Sequence, residues 1–252
     1  MKAEWLAALE RRHLANLTKQ EFTRAVRALS ARYVERRGQL PERSPLDSAG
    51  KRAAFALFYA PLHFLTAELA LARSNVPTEL TALVDLGCGT GVCGAAWALM
   101  HDTTPALTGV DANAWAIDEA RWNWRAIGLR GHGVRGDLLG TARGLLRQSN
   151  TALATTGIIA GWTVNELPKP DRDQLLAVVD QLLDRGARLV ILEPLARGVA
   201  PWWDEWAMRL APRNVREEDV KAAVDLPAPL DSFSDAAGFR KKELGVRIMF
   251  ST

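Results

Sequence analysis

The stretch Val84-Asp85-Leu86-Gly87-Cys88-Gly89-Thr90-Gly91 decides how this chain folds, because it joins a short apolar run directly to a cluster of glycines. Ala82 to Leu86 reads as a strand and Val92 to Met100 as a helix, so the glycines occupy a strand-to-helix turn. Glycines there allow φ above zero and let a ligand approach the backbone with no Cβ in the way. Toward the C-terminus, further strands are expected at Ala106 to Asp111, Gly133 to Arg135, Gly157 to Gly161 and Leu189 to Glu193. Helices are expected between them, at Ala114 to Ile127, Thr141 to Gln148 and Arg172 to Leu183. This alternation predicts an α/β fold, a parallel sheet wound by right-handed crossovers with helices on both faces. Such a sheet binds ligands at the carboxyl ends of its strands, beside the point where strand order reverses.

Asp111 closes the second expected strand, where a carboxylate can accept both hydroxyls of an adenosine ribose. Glycine spacing alone admits two cofactor classes, since Gly89, Gly91 and Gly94 also satisfy the G-x-G-x-x-G of a dinucleotide-binding dehydrogenase. Asp85 separates them. An acid two places before the first glycine would repel a pyrophosphate, whereas it attracts the sulfonium and α-ammonium of S-adenosylmethionine (SAM). A third acid, Asp137 in Arg135-Gly136-Asp137-Leu138, follows the third strand and can accept a hydrogen bond from an adenine amino group.

With these residues in view, the chain resembles the class I SAM-dependent methyltransferases. VDLGCGTG is similar to their first motif, Gly109 to Asn113 (GVDAN) to their second and Arg135 to Leu138 (RGDL) to their third, over about Leu80 to Glu193. The resemblance implies a Rossmann-like, mostly parallel sheet of seven strands, the last antiparallel, which Leu244 to Phe250 can supply. It implies SAM as cofactor, held by Asp85, Gly87, Cys88, Gly89, Gly91, Asp111, Ala112, Asp137, Leu138 and Trp162. A narrower resemblance lies in Ala28 to Tyr33, Ala53 to Leu65, Thr163 to Leu167 and Leu192-Glu193-Pro194. These are similar to the methyltransferase-like family associated with the small ribosomal subunit, which implies ribosomal RNA or an assembling small subunit as partner. Many members carry a metal-binding cysteine cluster after the fifth strand, and Ala200 to Arg213 has no cysteine.

Methyl transfer needs a nucleophile held in line with the methyl group, and positioning supplies up to about 7 to 11 kcal/mol. Gly161 to Leu167, after the fourth strand, is where such enzymes place acceptor-contacting residues, so Trp162, Asn165 and Glu166 are the candidate catalytic wall. The plainer reading is that Trp162 packs under the cofactor and Glu166 opens a helix. The Asn/Asp-Pro-Pro-aromatic motif of many amino-group methylators is absent here. Glu193 and Pro194 are expected to border the acceptor pocket. Trp202, Trp203 and Trp206 either stack bases or, as their helical spacing suggests, bury one face. Trp97, Trp115, Trp122 and Trp124 read as packing residues, and Tyr59 and His63, four apart on an N-terminal helix, read either as a buried helical contact or as facing the SAM pocket.

Cys88 and Cys93 are the only cysteines, which excludes a disulfide scaffold or a four-cysteine zinc site and points to the cytoplasm. The four histidines lack ligand spacing, so no metal is expected. The longest apolar run, Ala53 to Leu71, is broken by Pro61, His63, Thr66 and Glu68, and no membrane partner is expected. Residues 1–60 hold 12 Lys/Arg against 6 Asp/Glu, although the whole chain carries only +3. That excess reads as a phosphate-facing surface or as a solvated helical one. Thr18 and Glu21 form a capping box with Leu17 and Phe22 as its staple, starting a helix at Lys19 with a Phe22, Val26, Leu29, Tyr33 stripe. Gly38 to Asp47 reads as a loop, and Ser48 to Arg73 as a helix bent at Pro61. The expected domains are therefore a helical one at 1–76 and a SAM-binding one at 77–252.

Three functions fit these features. One is a SAM-dependent methyltransferase acting on ribosomal RNA or the small subunit. Another is a SAM-binding assembly or RNA-binding factor that transfers no methyl group, and the third is a small-molecule methyltransferase with a helical lid.

Overall fold

The structure, a computed structural model, describes residues 2–15, 17–35, 46, 48–234, 237 and 243–252. Packing divides the chain into two units, Met1–His63 with Lys221–Leu244, and Phe64–Val220 with Gly245–Thr252. The expected boundary at 76/77 follows the change from helices to strands. By packing, Phe64 onward groups with the sheet, and 221–244 groups with the N-terminal helices.

The first unit holds α1 (Lys2–Leu14), α2 (Lys19–Glu35), α3 (Ala49–Ala54), a π-helical turn (Phe55–Tyr59) and the start of α4 (Ala60–Arg73). The capping box forms as expected: Glu21 Oε2 accepts from Thr18 N at 2.8 Å, and Glu21 N donates to Thr18 Oγ1 at 3.3 Å. Phe22, Val26 and Leu29 of the α2 stripe are fully buried, and the Phe22 ring meets Phe233 at 4.5 Å. The Tyr33 side chain and most of the expected loop at 38–47 lie outside the described residues. At Pro61 the response is a wider turn just upstream. Proline has no N–H to donate and its ring crowds the carbonyl four residues back, and here the Ala60 N–H reaches to Phe55 O as a π turn. The continuous helix Ala49–Arg73 is long and apolar enough to cross a membrane, yet 67% of its most apolar window is buried within the protein.

The second unit is built on seven strands: β1 (Ala82–Leu86), β2 (Ala106–Asp111), β3 (Gly131–Arg135), β4 (Thr156–Gly161), β5 (Arg188–Glu193), β6 (Val215–Ala223) and β7 (Glu243–Ser251). Their order is β3-β2-β1-β4-β5-β7-β6. The first five run parallel, and β7 pairs antiparallel with β5. The crossovers are α5 (Val92–Ala98), α6 (Ala114–Ile127), α7 (Leu138–Leu145) with α8 (Asn150–Leu153), and α9 (Lys169–Asp184), and α10 (Trp203–Leu210) follows β5. α11 (Leu230–Ser234) lies between β6 and β7 in sequence. This is the expected Rossmann-like methyltransferase sheet with its antiparallel last strand.

Several elements start earlier than their sequence pattern indicates: α7 at Leu138, where Asp137 caps it, α9 at Lys169 and β3 at Gly131. In β6, four exposed charged residues follow Val215. A solvent-facing edge strand tolerates charges that an apolar search passes over. Strand order reverses between β1 and β4, so the carboxyl ends of β2, β1, β4 and β5 bring Asp111, Asp85, Gly161 and Glu193 to one side of the sheet.

Candidate active site

The glycine loop is shaped by what lies against each glycine. Gly87, Gly89 and Gly91 have φ of +66°, +52° and +77°, the left-handed region in which a Cβ is strained. A Cβ on Gly87 would meet the Thr163 side chain at 2.3 Å, and one on Gly91 would meet the Trp124 ring at 2.6 Å. A Cβ on Gly89 would meet nothing within 4 Å. Gly89 is thus the open glycine of the three. The loop is tied down from α6, where Trp124 Nε1 donates to Gly91 O (2.8 Å) and Asn123 Nδ2 donates to Thr90 O (3.0 Å).

Asp85, next to last in β1, is almost wholly buried. Its Oδ2 accepts the Gly94 N–H at 2.8 Å, and its Oδ1 has no hydrogen-bond partner. Burial pushes its pKa up to about 7 and the Asp111 charge adds to the rise, against the Gly94 bond. Asp111, half-buried, accepts Gly89 N–H on one oxygen (2.9 Å) and Asn113 N–H on the other (2.7 Å). Each oxygen keeps a lone pair for a further donor. Ala112 is exposed, and its carbonyl accepts from Arg135 Nε at 3.3 Å. Asp137 is exposed and caps α7 through the Leu139 and Gly140 N–H groups, and Leu138 behind it is half-buried.

Across the reversal point, Trp162 follows β4 at a φ of +55° and donates its N–H to Leu192 O at 2.7 Å. A large residue in this region is an outlier that the surroundings must enforce. Asn165 and Glu166 stand on the 3₁₀ turn Val164–Glu166. The residue Glu166 is exposed, yet its carboxyl lies among protein walls that push its pKa up to about 7, with the Asp111 charge contributing. Glu193 is fully buried. Its Oε1 accepts the Asn165 N–H at 3.0 Å, and desolvation raises its pKa to about 8.

The structure therefore brings together Asp85, Asp111, the glycine loop and Glu166. Asp137 is engaged at the start of its helix. Trp202, Trp203 and Trp206 are buried, so in this structure they pack rather than present faces to bases. Trp97 and Trp124 are fully buried, while Trp115 and Trp122 are half-buried. Burial raises the thiol pKa of Cys88 and Cys93 and keeps both as inert thiols. Among the described residues no group of three or more His, Cys, Asp or Glu is arranged to hold a metal ion.

Sequence reasoning missed the roles of Asn123, Trp124 and Thr163 around the loop. A signal was present in Gly109 and Gly131, glycines inside strands. A Cβ on either would strike the Trp124 ring, at 2.8 and 2.2 Å.

Residues 67–159 match the methyltransferase small domain family. Over 77 residues, 29% of this chain, the sequence is 46% identical to the ribosomal RNA large subunit methyltransferase G of Pseudomonas paraeruginosa. The same enzyme of Pseudomonas aeruginosa PAO1 is 44% identical over 77 residues. The match spans only 20% of the length of each of these relatives. Among solved structures, the mitomycin 7-O-methyltransferase superposes with a TM-score of 0.52 at 15% identity, covering 98% of this chain and 71% of that one, which speaks for the fold alone. The sequence match is thus confined to the region that carries the glycine loop and the acids beside it, which is similar to the methyltransferase small domain, and the seven-strand order is that of the Rossmann-like methyltransferase fold.

Proposed function

We propose that this protein is a cytoplasmic SAM-dependent methyltransferase whose acceptor is ribosomal RNA. The observation that carries the cofactor half is the pairing of Gly89, open where its neighbours are filled, with the buried Asp85 and its orphaned oxygen. Carboxyl groups beside a backbone cradle suit a cofactor whose positive sulfonium and ammonium favour their ionised form. Asp111 is placed to receive the ribose hydroxyls, the loop to pass under the cofactor at Gly89, and Asp137 to offer its remaining lone pairs to the adenine amino group. SAM supplies an electrophilic methyl group when bound. Trp162, Asn165 and Glu166 then form the wall that orients the acceptor. With a pKa near 7, Glu166 can hold or release a proton at the acceptor atom, which suits a general base.

The RNA half is supported by the identity to ribosomal RNA methyltransferases and by the basic excess of residues 1–60. The test is methyl-labelled SAM incubated with ribosomal RNA from cells lacking this protein. Label should enter the RNA, fall sharply for Asp111→Ala, and RNA binding should weaken as salt rises. Binding of SAM and RNA without labelled product would instead favour an assembly factor. Label in a small molecule would favour a lidded small-molecule enzyme.

A further inference from the structure

Resting on the methyltransferase reading, we propose that Glu193 is a positioning residue: its buried carboxyl clamps the turn after β4 that carries the acceptor wall. The last two residues of β5 hold that turn at two points, Leu192 O taking the Trp162 N–H (2.7 Å) and Glu193 Oε1 the Asn165 N–H (3.0 Å). Between those points Thr163 Oγ1 lies 3.0 Å from both the Gly87 and the Gly161 carbonyl oxygens. The acceptor turn is thus fastened on one side to β5 and on the other to the first glycine of the cofactor loop. The clamp gives a reason for the left-handed backbone at Trp162, a conformation that persists only when its surroundings over-determine it.

A carboxyl is a costly means of holding backbone amides, here Asn165 N–H with the Val164 N–H also acting on it. Glu193 is 0% exposed, and its second oxygen has no hydrogen-bond partner, as is true of Asn165 Oδ1 and Arg172 Nε nearby. The charges acting on Glu193 are Glu166, which opposes ionisation, and Arg172, which favours it. Arg247, its register partner on β7, is turned to Asp219 at 3.2 Å and lies over the Trp203 ring. Glu193 is therefore held mainly as the neutral acid near pH 7, which spares the wall a second negative charge beside Glu166.

The test compares wild type, Glu193→Ala and Glu193→Gln by amide hydrogen exchange at residues 162–166 and by calorimetric titration of SAM. Exchange at Asn165 should speed up at least about tenfold in Glu193→Ala, equivalent to about 1.4 kcal/mol of lost protection, with SAM affinity within about threefold. Glu193→Gln, whose amide oxygen can accept the same bond, should exchange like wild type. It should also flatten the loss of thermal stability between pH 6 and pH 9, which a merely space-filling role would not alter. Unchanged Asn165 exchange in Glu193→Ala, exchange in Glu193→Gln as fast as in the alanine variant, or an unaltered pH slope would each overturn the proposal. Should Glu193→Ala not fold, Glu193→Gln and its pH slope decide. Absence of SAM binding by wild type would sink the methyltransferase reading instead, a result separate from the exchange data.

Discussion

The two halves of the proposed site, at the ends of β1 and β2 and at the ends of β4 and β5, are built differently. On the cofactor side the loop backbone is tied down: Asp111 takes two backbone N–H groups, and Trp124 and Asn123 bind the loop carbonyls, while Asp85 Oδ1 and Thr90 Oγ1 stay buried without a partner. Glycines stand where the Trp124 ring or the Thr163 side chain needs the space. On the acceptor side the backbone is strained at Trp162, and Asn165, Arg172 and Glu193 each bury an unpartnered polar atom. Both sides keep unspent buried polar groups, and the contrast separates a socket, whose loop has glycines at its left-handed positions, from a wall whose turn holds a tryptophan in that conformation. Unsatisfied buried groups cluster where function demands them, since they lower stability elsewhere without return.

The harshest way to break the socket is Trp124→Ala. It removes a fully buried ring that touches three glycines and should cost about 3–5 kcal/mol in denaturant unfolding. A loss below about 1 kcal/mol would mean that the ring does not organise the loop.

A sharper comparison sets Gly91→Ala against Gly89→Ala. Both suffer a left-handed backbone, costing about 1–2 kcal/mol, but only Gly91→Ala also collides with Trp124. Gly91→Ala should therefore be the less stable, by about 1–3 kcal/mol for overpacking, while Gly89→Ala should chiefly weaken SAM binding in calorimetry. Equal stabilities would remove the distinction drawn between filled and open glycines.

Next in size is the response to pH. Asp85 and Glu193 have folded pKa values of about 7 and 8, raised from 3.8 and 4.5. The fold then binds more protons than the unfolded chain, so their contribution to stability is full below about pH 4. It is lost as pH rises through 7 and 8. Thermal unfolding of the free protein should fall from pH 5 to pH 9, and SAM binding near pH 7 should release protons as its positive groups draw Asp85 to the ionised form. A melting temperature that rises over that range would contradict both shifts.

The smallest expected effect is at Asp137. Asp137→Ala removes a helix cap and should cost about 1 kcal/mol, while Asp137→Asn, also a good cap, should cost less. SAM affinity that is unaffected in both would confine Asp137 to capping.

The same contrast explains what the sequence discloses. The socket is local: Asp85, the glycines and Asp111 stand at the ends of strands whose apolar runs are plain, and their spacing reveals both the sheet and the cofactor class. The wall depends on distant partners. Nothing in Trp162 to Leu167 announces that Glu193, 28 residues beyond Asn165, accepts its N–H. The grip of Trp124 on Gly91 spans 33 residues and is hinted at only by the strand glycines Gly109 and Gly131. Asp137 was legible as an acid after a strand, but its capping of α7 emerges only once the helix is seen to start at Leu138.

The central claim, that the loop from Asp85 to Gly91 with Asp111 holds SAM, is tested most directly by calorimetric titration of SAM into wild type and Asp111→Ala. Saturable binding by wild type, weakened at least about tenfold by the substitution, is the expected result. No binding by wild type, or undiminished binding by Asp111→Ala, would contradict it.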